Sequence, residues 1–267
     1  MLTKPATPPP PKATLPPKAT LLPKATLPSR PGLNRFVWDM RREPIPNVPD
    51  VFMLGSYDGG IVAPGQYGLR LYVGEDRLRG RLEIKPDPRL SHPPSDYTDQ
   101  ESFLLSIEET VRELHFSVRQ MQDTKRQILA LRDRIQPLSD QPELIDQADT
   151  LLAAIEKWEN QLIQKEQKTY QDVINFPNRL NAELMDLHKR IDNADPRVTY
   201  GARRRLADLQ DQWRSLREER DNILSNRLEE FNRMYRLQRL PAVLVPELGK
   251  PTETFQPRET DRYGGKN

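Results

Sequence analysis

The chain has no cysteine, which excludes disulfides, thiol nucleophiles, thiolate zinc sites and iron–sulfur clusters. The redox compartment stays open, because a chain without thiols can live in either. Histidine is scarce: His92, His115 and His188 are the three present, with no H-E-x-x-H pattern and no pair four residues apart. No stretch approaches the roughly 18–20 uninterrupted apolar residues that cross a bilayer. The N-terminus is broken by proline and has no apolar run of its own, so no secretory signal is expected there. An excess of one charge is lacking too. Lys and Arg number 41 against 39 Asp and Glu, a net charge of +2, whereas a dedicated nucleic-acid binder is as a rule strongly basic.

What the chain has in excess is proline near its start. Ten of its 26 prolines fall in residues 1–31, with Lys4, Lys12, Lys18, Lys24 and Arg30 and no acid. A six-residue unit recurs from Pro11 to Pro16, from Pro17 to Leu22 and from Pro23 to Pro28. Proline fixes φ and carries no N–H, so the segment forms neither helix nor central strand. Leu is its only large apolar residue besides Met1, too little burial to offset the entropy of ordering. An extended, solvated tail is expected for 1–31. The PxxP spacing of Pro8 to Pro11 leaves an SH3-type ligand as the alternative.

Residues 32–92 hold eight of the 12 glycines and several runs with a period of two. Asn34, Phe36 and Trp38 alternate with Arg35, Val37 and Asp39. Tyr67, Leu69, Leu71 and Val73 alternate with Gly68, Arg70 and Tyr72. After Gly74-Glu75-Asp76, Leu78, Leu82 and Ile84 alternate with Arg79, Arg81 and Glu83. Short alternating runs split by Gly, Pro and Asp predict antiparallel strands, with a hairpin at Gly74–Asp76 and a further strand at Val51–Leu54. Four or five strands are expected, fewer than the seven or so of a closed sandwich.

From Ser95 to Leu240 glycine all but vanishes, with Gly201 alone remaining. Leu104, Ile107, Val111, Leu114, Val118, Met121, Ile128, Leu131 and Ile135 make a heptad-like seam, interrupted by Lys125. It predicts a helix of about 40 residues, about 60 Å long, capped at Ser95 or Asp96. A turn bracketed by Pro137 and Pro142 leads to a second helix with Leu144, Ala148, Leu151, Ile155, Trp158 and Leu162. Asn175-Phe176-Pro177 interrupts that helix, and a third segment restarts at Pro177 with Leu180, Leu184, Leu187 and Ile191. After a turn at Asn193–Pro196, the last helix presents Leu206, Leu209, Trp213, Leu216, Ile223/Leu224, Leu228, Phe231 and Tyr235. Three rods of matched length predict an antiparallel bundle, with Glu108, Glu109, Arg112, Glu218, Glu219 and Arg220 on its wet faces.

Chemistry is sparse. His115 and His188 each adjoin a core Leu and are expected to pack at the core boundary. Carboxylate pairs such as Glu229-Glu230, or Asp172 near Glu166, are expected to form ion pairs on helix faces. Gly55, Gly59, Gly60, Gly65 and Gly68 spell neither a phosphate loop nor a dinucleotide fingerprint and are read as turns with positive φ. Gly55-Ser56-Tyr57-Asp58-Gly59 lacks the central Ser of a nucleophile elbow. Arg203-Arg204-Arg205 is read as a solvated helix face, Arg233, Arg236 and Arg239 as complements to a helix C-terminus, and Trp158 and Trp213 as core anchors. No catalytic, cofactor-binding or metal-ligating residue is expected, and no cofactor.

Five short strings carry a resemblance. Gly32-Leu33-Asn34-Arg35-Phe36-Val37-Trp38-Asp39-Met40-Arg41 resembles the GLNR-x-x-W-D-[LM]-R strand near the end of large bacterial sortilin-type β-propeller proteins, often labelled glycosyl-hydrolase-like, with neuraminidase-type repeats. Ala63-Pro64-Gly65-Gln66-Tyr67-Gly68-Leu69-Arg70-Leu71 is similar to that family's PGxYxxRL strand. Lys85-Pro86-Asp87-Pro88-Arg89 is similar to its K-x-D-P-R exit, Asn175-Phe176-Pro177-Asn178-Arg179-Leu180-Asn181 to its NFPxxLN break, and Leu240-Pro241-Ala242-Val243 to its closing LPA. The resemblance implies an immunoglobulin-like β piece and a helical bundle appended to a propeller. The propeller is absent from this chain, and no motif position carries a catalytic residue over.

The expected organisation is therefore mainly α with a small β part. Residues 1–31 form a tail, 32–92 a partial immunoglobulin-like β domain, 93–240 the antiparallel three-helix bundle with its middle helix broken near Pro177, and 241–267 a second tail. The expected function is a non-catalytic structural or protein-interaction module, a detached or truncated C-terminal part of such a propeller protein. A hydrolase subunit active only with a separate propeller chain, and a spectrin-like coiled-coil scaffold, are the alternatives. Expected partners are a propeller chain or a second copy through an exposed β edge, with neither nucleic acid nor membrane; the compartment is open.

Overall fold

A computed structural model describes residues 30–136 and 142–238. The chain is mainly helical with a small antiparallel β part. Both expected tails lie outside the described residues except for Arg30 and Pro31, as do the turn after Gln136 and the stretch from Arg239 on.

The first rod is α1, Pro94–Ile135, 42 residues long and so about 60 Å at 1.5 Å per residue. Its Leu104, Ile107, Val111, Leu114, Val118 and Met121 are wholly buried, as their three-and-four spacing demands. Ser95 and Asp96 lie inside the helix rather than capping it: Pro93 is the cap residue, and Pro94 starts the first turn, where a missing N–H costs nothing.

The second rod has two pieces. Helix α2 spans Pro142–Leu162 and α3 spans Leu180–Ile191. The break opens at residue 163, well before the expected Asn175, and Pro177 lies three residues ahead of α3. Side chains hold the looped backbone in place. Gln164 Nε2 donates to the Pro177 carbonyl at 3.1 Å and Gln167 Nε2 to the Phe176 carbonyl at 2.7 Å. Within the loop, Asp172 and Thr169 form a capping box for the 3₁₀ turn Tyr170–Ile174. Polar side chains that pair with loop carbonyls compete with the helical ladder, which apolar spacing alone does not reveal.

The third rod starts at α4, Tyr200–Asn222, where the Thr199 hydroxyl accepts from the Ala202 amide at 3.1 Å. It widens into a π-helical turn over Ile223–Leu228 and continues as α5, Glu229–Leu237. Trp158 and Trp213 are core anchors as expected: the first indole N–H donates to the Leu216 carbonyl at 2.7 Å, the second to Glu113 at 3.0 Å.

The β part is smaller than the alternating runs suggest. Strands β1, Gly65–Val73, and β2, Asp76–Ile84, form the expected hairpin. Gly74 has φ +60°, the positive value that a type II′ turn requires at its first central position. The runs at Asn34–Trp38 and Val51–Leu54 form no strand; a single bridge, Arg41 to Ile61, remains. Of four or five expected strands, two form, and the described residues contain no immunoglobulin-like sheet.

Residues 40–63 instead form an irregular strap laid on α1 and α3. Ile45, Val48 and Met53 join the bundle core. Three backbone bonds hold the strap's limbs together, Arg42 N to Gly60 O, Ile45 N to Tyr57 O and Val62 N to Met40 O. Pro44, Pro46 and Pro49 remove the donors that a regular ladder would need.

Candidate functional site

The strap meets the bundle at a buried polar cluster centred on Glu108, in the upper half of α1. The heptad reading puts Glu108 on a wet face beside Glu109 and Arg112. The structure buries it completely. Its Oε1 accepts from Arg42 Nη2 at 2.6 Å, from the Gly60 amide at 2.8 Å and from His188 Nε2 at 3.2 Å. Its Oε2 accepts from Arg42 Nε at 3.2 Å and from Arg112 at 3.4 Å. Arg42 also reaches Glu101 and the Ile61 carbonyl. Burial pushes the Glu108 carboxyl up, but the hydrogen bonds from His188 and Arg42, the guanidinium charge and the Gly60 amide outweigh it and hold the group at about 2. Since a carboxylate only accepts, the His188 nitrogen facing it carries the proton.

The approach of the strap is close enough to dictate its residues. A Cβ on Gly59 would lie 2.5 Å from the Arg42 carbonyl, and one on Gly60 would lie 2.5 Å from Arg42 Nη2 and 3.1 Å from Glu108 Oε1. Contact with the strap's other limb and with α1, not positive φ, explains these two glycines. Gly55 does have positive φ, at +134°, while Gly65 and Gly68 do not.

Bonds of Asp192, His115 and Gln100 extend the cluster. Arg41 pairs with Asp192 at the end of α3, and the other Asp192 oxygen accepts from the Ile61 amide at 3.0 Å. His115, two turns below Glu108, faces the Pro46 carbonyl with Nδ1 at 2.7 Å and Asn181 with Nε2 at 3.2 Å, and Asn181 in turn bonds the Tyr57 hydroxyl. Burial lowers the His115 pKa, against the pull of Pro46 and Asn181. Both ring nitrogens thus face acceptor oxygens, the Pro46 carbonyl and Asn181 Oδ1, and a neutral imidazole can donate to one of them. Gln100 Nε2 donates to the Ile191 and Asn193 carbonyls at 2.7 and 2.9 Å, closing carbonyls that the end of α3 leaves open.

One signal for this cluster lies in the sequence. Glu101, Glu108, His115 and Gln122 recur every seven residues, so they share one line along α1 beside the apolar seam. Each reaches another element: Glu101 and Glu108 the strap, His115 the strap and α3, and Gln122 Glu159 of α2 at 2.6 Å. Arg42 carries no such signal, because nothing periodic surrounds it. Lower down, Lys125, which interrupts the seam, pairs with Glu156 of α2, and Lys165 bonds Glu156 and Glu159 at 2.7 and 2.6 Å. Burial raises Glu156, but the two lysines outweigh it and bring it to about 2.

The arrangement is suited to holding rather than to turnover. Glu108 is held ionised far below neutral pH, and both its oxygens are occupied by protein donors. Among the described residues, no group of three or more His, Asp and Glu is disposed to hold a metal ion, and no helix is long and apolar enough to cross a membrane. Of the other expected surface sets, Arg203 pairs with Asp99, Arg205 with Glu183, Arg233 with Glu230 and Arg236 with Glu229. No family model, no curated protein and no solved structure matches the chain.

Proposed function

We propose that this chain is a non-catalytic structural and protein-interaction module, in which the strapped bundle is a rigid post and the β1–β2 ribbon is the element offered to a partner. One observation carries the reading. Ten of the sixteen exposed large apolar side chains among the described residues lie between Leu33 and Leu78, in the ribbon and the chain leading into it. The bundle, about three times as long, exposes the other six, which needs no explanation, whereas Leu69, Leu71, Val73 and Leu78 share one face of the ribbon, and a contiguous exposed apolar patch marks an interaction site. The strings shared with the C-terminal region of sortilin-type propeller proteins support placing the chain beside that region, which carries no catalytic residue over. The immunoglobulin-like piece they imply is not what residues 33–63 form.

Photo-crosslinking residues placed singly at Leu71, Val73 and Phe116 of the full chain in its native cell test the reading. Discrete adducts with another protein are expected from the two ribbon positions and none from Phe116, on the bundle. Equal labelling at all three overturns it. So does saturable hydrolysis of glycosides or peptides by the purified chain that Glu108→Gln abolishes.

A further inference from the structure

The ribbon sorts its residues by chemistry. Its register pairs Tyr67 with Leu82, Leu69 with Gly80 and Leu71 with Leu78 on one face, and Gly68 with Arg81, Arg70 with Arg79 and Tyr72 with Arg77 on the other. The first face is apolar, and Leu69, Leu71, Val73 and Leu78 are 39–58% exposed. The second face carries four arginines and one acid, Glu83, opposite Gln66 at the far end from the turn.

Two of those arginines, Arg70 and Arg79, stand directly opposite each other, an arrangement of like charges that destabilises a strand pair. None of the four has an ion-pair partner among the described residues; Arg77 lies over the Tyr72 ring at 5.9 Å. Several arginines of the bundle behave differently: Arg112, Arg203, Arg205, Arg217 and Arg220 each meet a carboxylate. Both long edges of the ribbon are without a neighbouring strand among the described residues. An open hollow of about 400 Å³ lies against it, lined by Gly68, Leu69, Arg79, Gly80 and Arg81.

We propose that the ribbon accepts a third strand, an extended segment of another protein in which acidic and apolar residues alternate. This rests on the reading of the ribbon as the interaction element. Strand addition bonds the open backbone edge, and alternation sends successive side chains to opposite faces. The acidic residues then lie over the arginine face while the apolar ones extend the leucine face. No other occupant meets all three features. A second copy joined edge to edge would bring eight arginines onto one face. An anionic membrane would take the apolar face and leave the arginines turned away from its headgroups. Residues 1–29 contain no acid, and residues 239–267, which carry Glu247, Glu253, Glu259 and Asp261, have no run in which acidic and apolar residues alternate.

The test uses the full chain and two labelled synthetic peptides, one alternating Glu with Val and one of the same composition with the Glu residues in a block. Saturable binding of the alternating peptide, at least roughly tenfold tighter than the block isomer, is expected, weakening as salt rises. Replacing both Arg70→Glu and Arg79→Glu should lower the affinity by roughly tenfold or more. These positions lie outside the core, so thermal melting should not move, which separates lost binding from lost folding. Methylating alternate peptide amides should abolish binding if an edge is being paired. Equal affinity for the two peptides overturns the proposal. So does tighter binding to vesicles of phosphatidylserine and phosphatidylcholine, or dimerisation at micromolar concentration that Leu71→Asp reverses. If the peptides fail while crosslinks still arise at Leu71 and Val73, the partner chemistry is wrong and the ribbon remains the interaction element.

Discussion

Arg42 reaches Glu108 through two nitrogens. Arg42→Met therefore leaves an ionised carboxylate in the interior with His188, Arg112 and one backbone amide for company. Removing one partner of a buried pair costs about 3–5 kcal/mol, and urea titration of this variant should show a loss in that range. Glu108→Gln should cost less, because Arg42 keeps Glu101 and the Ile61 carbonyl. A loss below about 1 kcal/mol for Arg42→Met, the scale of exposed pairs, would mean that the pair does not fasten the strap. Gly60→Ala attacks the same contact sterically, since its new methyl would fall 2.5 Å from Arg42 Nη2 and 3.0 Å from Leu104. Gly68→Ala, with nothing within 4 Å, is the matched control and should leave the melting temperature unchanged.

Acid should act on these residues in two windows. The Glu108 pKa is about 2 in the folded chain, below its ordinary 4.5, so the unfolded chain binds a proton first. The stabilisation it contributes is complete above about 4.5 and disappears as the pH falls towards 2. His115 is a base with a lowered pKa, below its ordinary 6.5. Here too the unfolded chain takes up the proton first, so stability begins to fall once the pH drops below about 6.5. Melting temperatures measured from pH 8 to pH 3 should decline in two stages. His115→Gln should flatten the upper stage and leave the lower one. A profile unchanged by that substitution would refute the role given to His115.

Among the elements, the third rod shows how a single extra residue is absorbed. Leu206, Leu209, Trp213, Leu216 and Ile223 follow one heptad phase, while Leu224, Leu228, Phe231 and Tyr235 follow the next phase along. One inserted residue would turn a regular helix by about 100° and carry Phe231 out of the core. The π turn at Ile223–Leu228 takes up that residue, and Phe231 is 1% exposed. Deleting Ser225, an exposed residue in the turn, should convert it to α-helix and keep the seam, with no loss of melting temperature. Deleting Arg214 should rotate the whole lower rod out of phase and cause a large loss. Equal losses from the two deletions would contradict this account. The phase change is legible in the sequence, as are the rods and the hairpin, because each repeats a period several times. The strap is not legible. Ile45, Val48 and Met53 are buried by contact with α1 and α3, at spacings that follow no period, so alternation at Asn34–Trp38 suggests a strand that finds no partner. Glu108 is misread for a related reason: helical spacing marks a face, while what covers that face comes from a segment about 60 residues earlier.

At the scale of the whole molecule, the strap and bundle form one body and the ribbon another. Ile45, Val48 and Met53 share a continuous core with all three rods, and Arg41, Arg42, Tyr57 and Ile61 bond side chains on α1, at the α3 C-terminus and within α3. Those links join residues 66 to 151 positions apart, so the strap cannot open without uncovering Leu104 and the Glu108 carboxylate together. The ribbon contributes none of its strand residues to that core. An isolated hairpin is at best marginally stable in water. Amide exchange should therefore divide residues 40–84 in two. The amides of Arg42, Ile45, Gly60 and Val62, each hydrogen-bonded, should exchange only through global unfolding, as slowly as those in the middle of α1. The amides of β1 and β2 should exchange orders of magnitude faster, and those of Leu33–Asp39 faster still. Arg42→Met should move the strap amides and the α1 amides by the same free energy and leave the ribbon where it was. If instead the strap alone loosened, it would be a flap on a self-sufficient bundle, and the buried Arg42–Glu108 contact would be local fastening rather than part of what folds the rods.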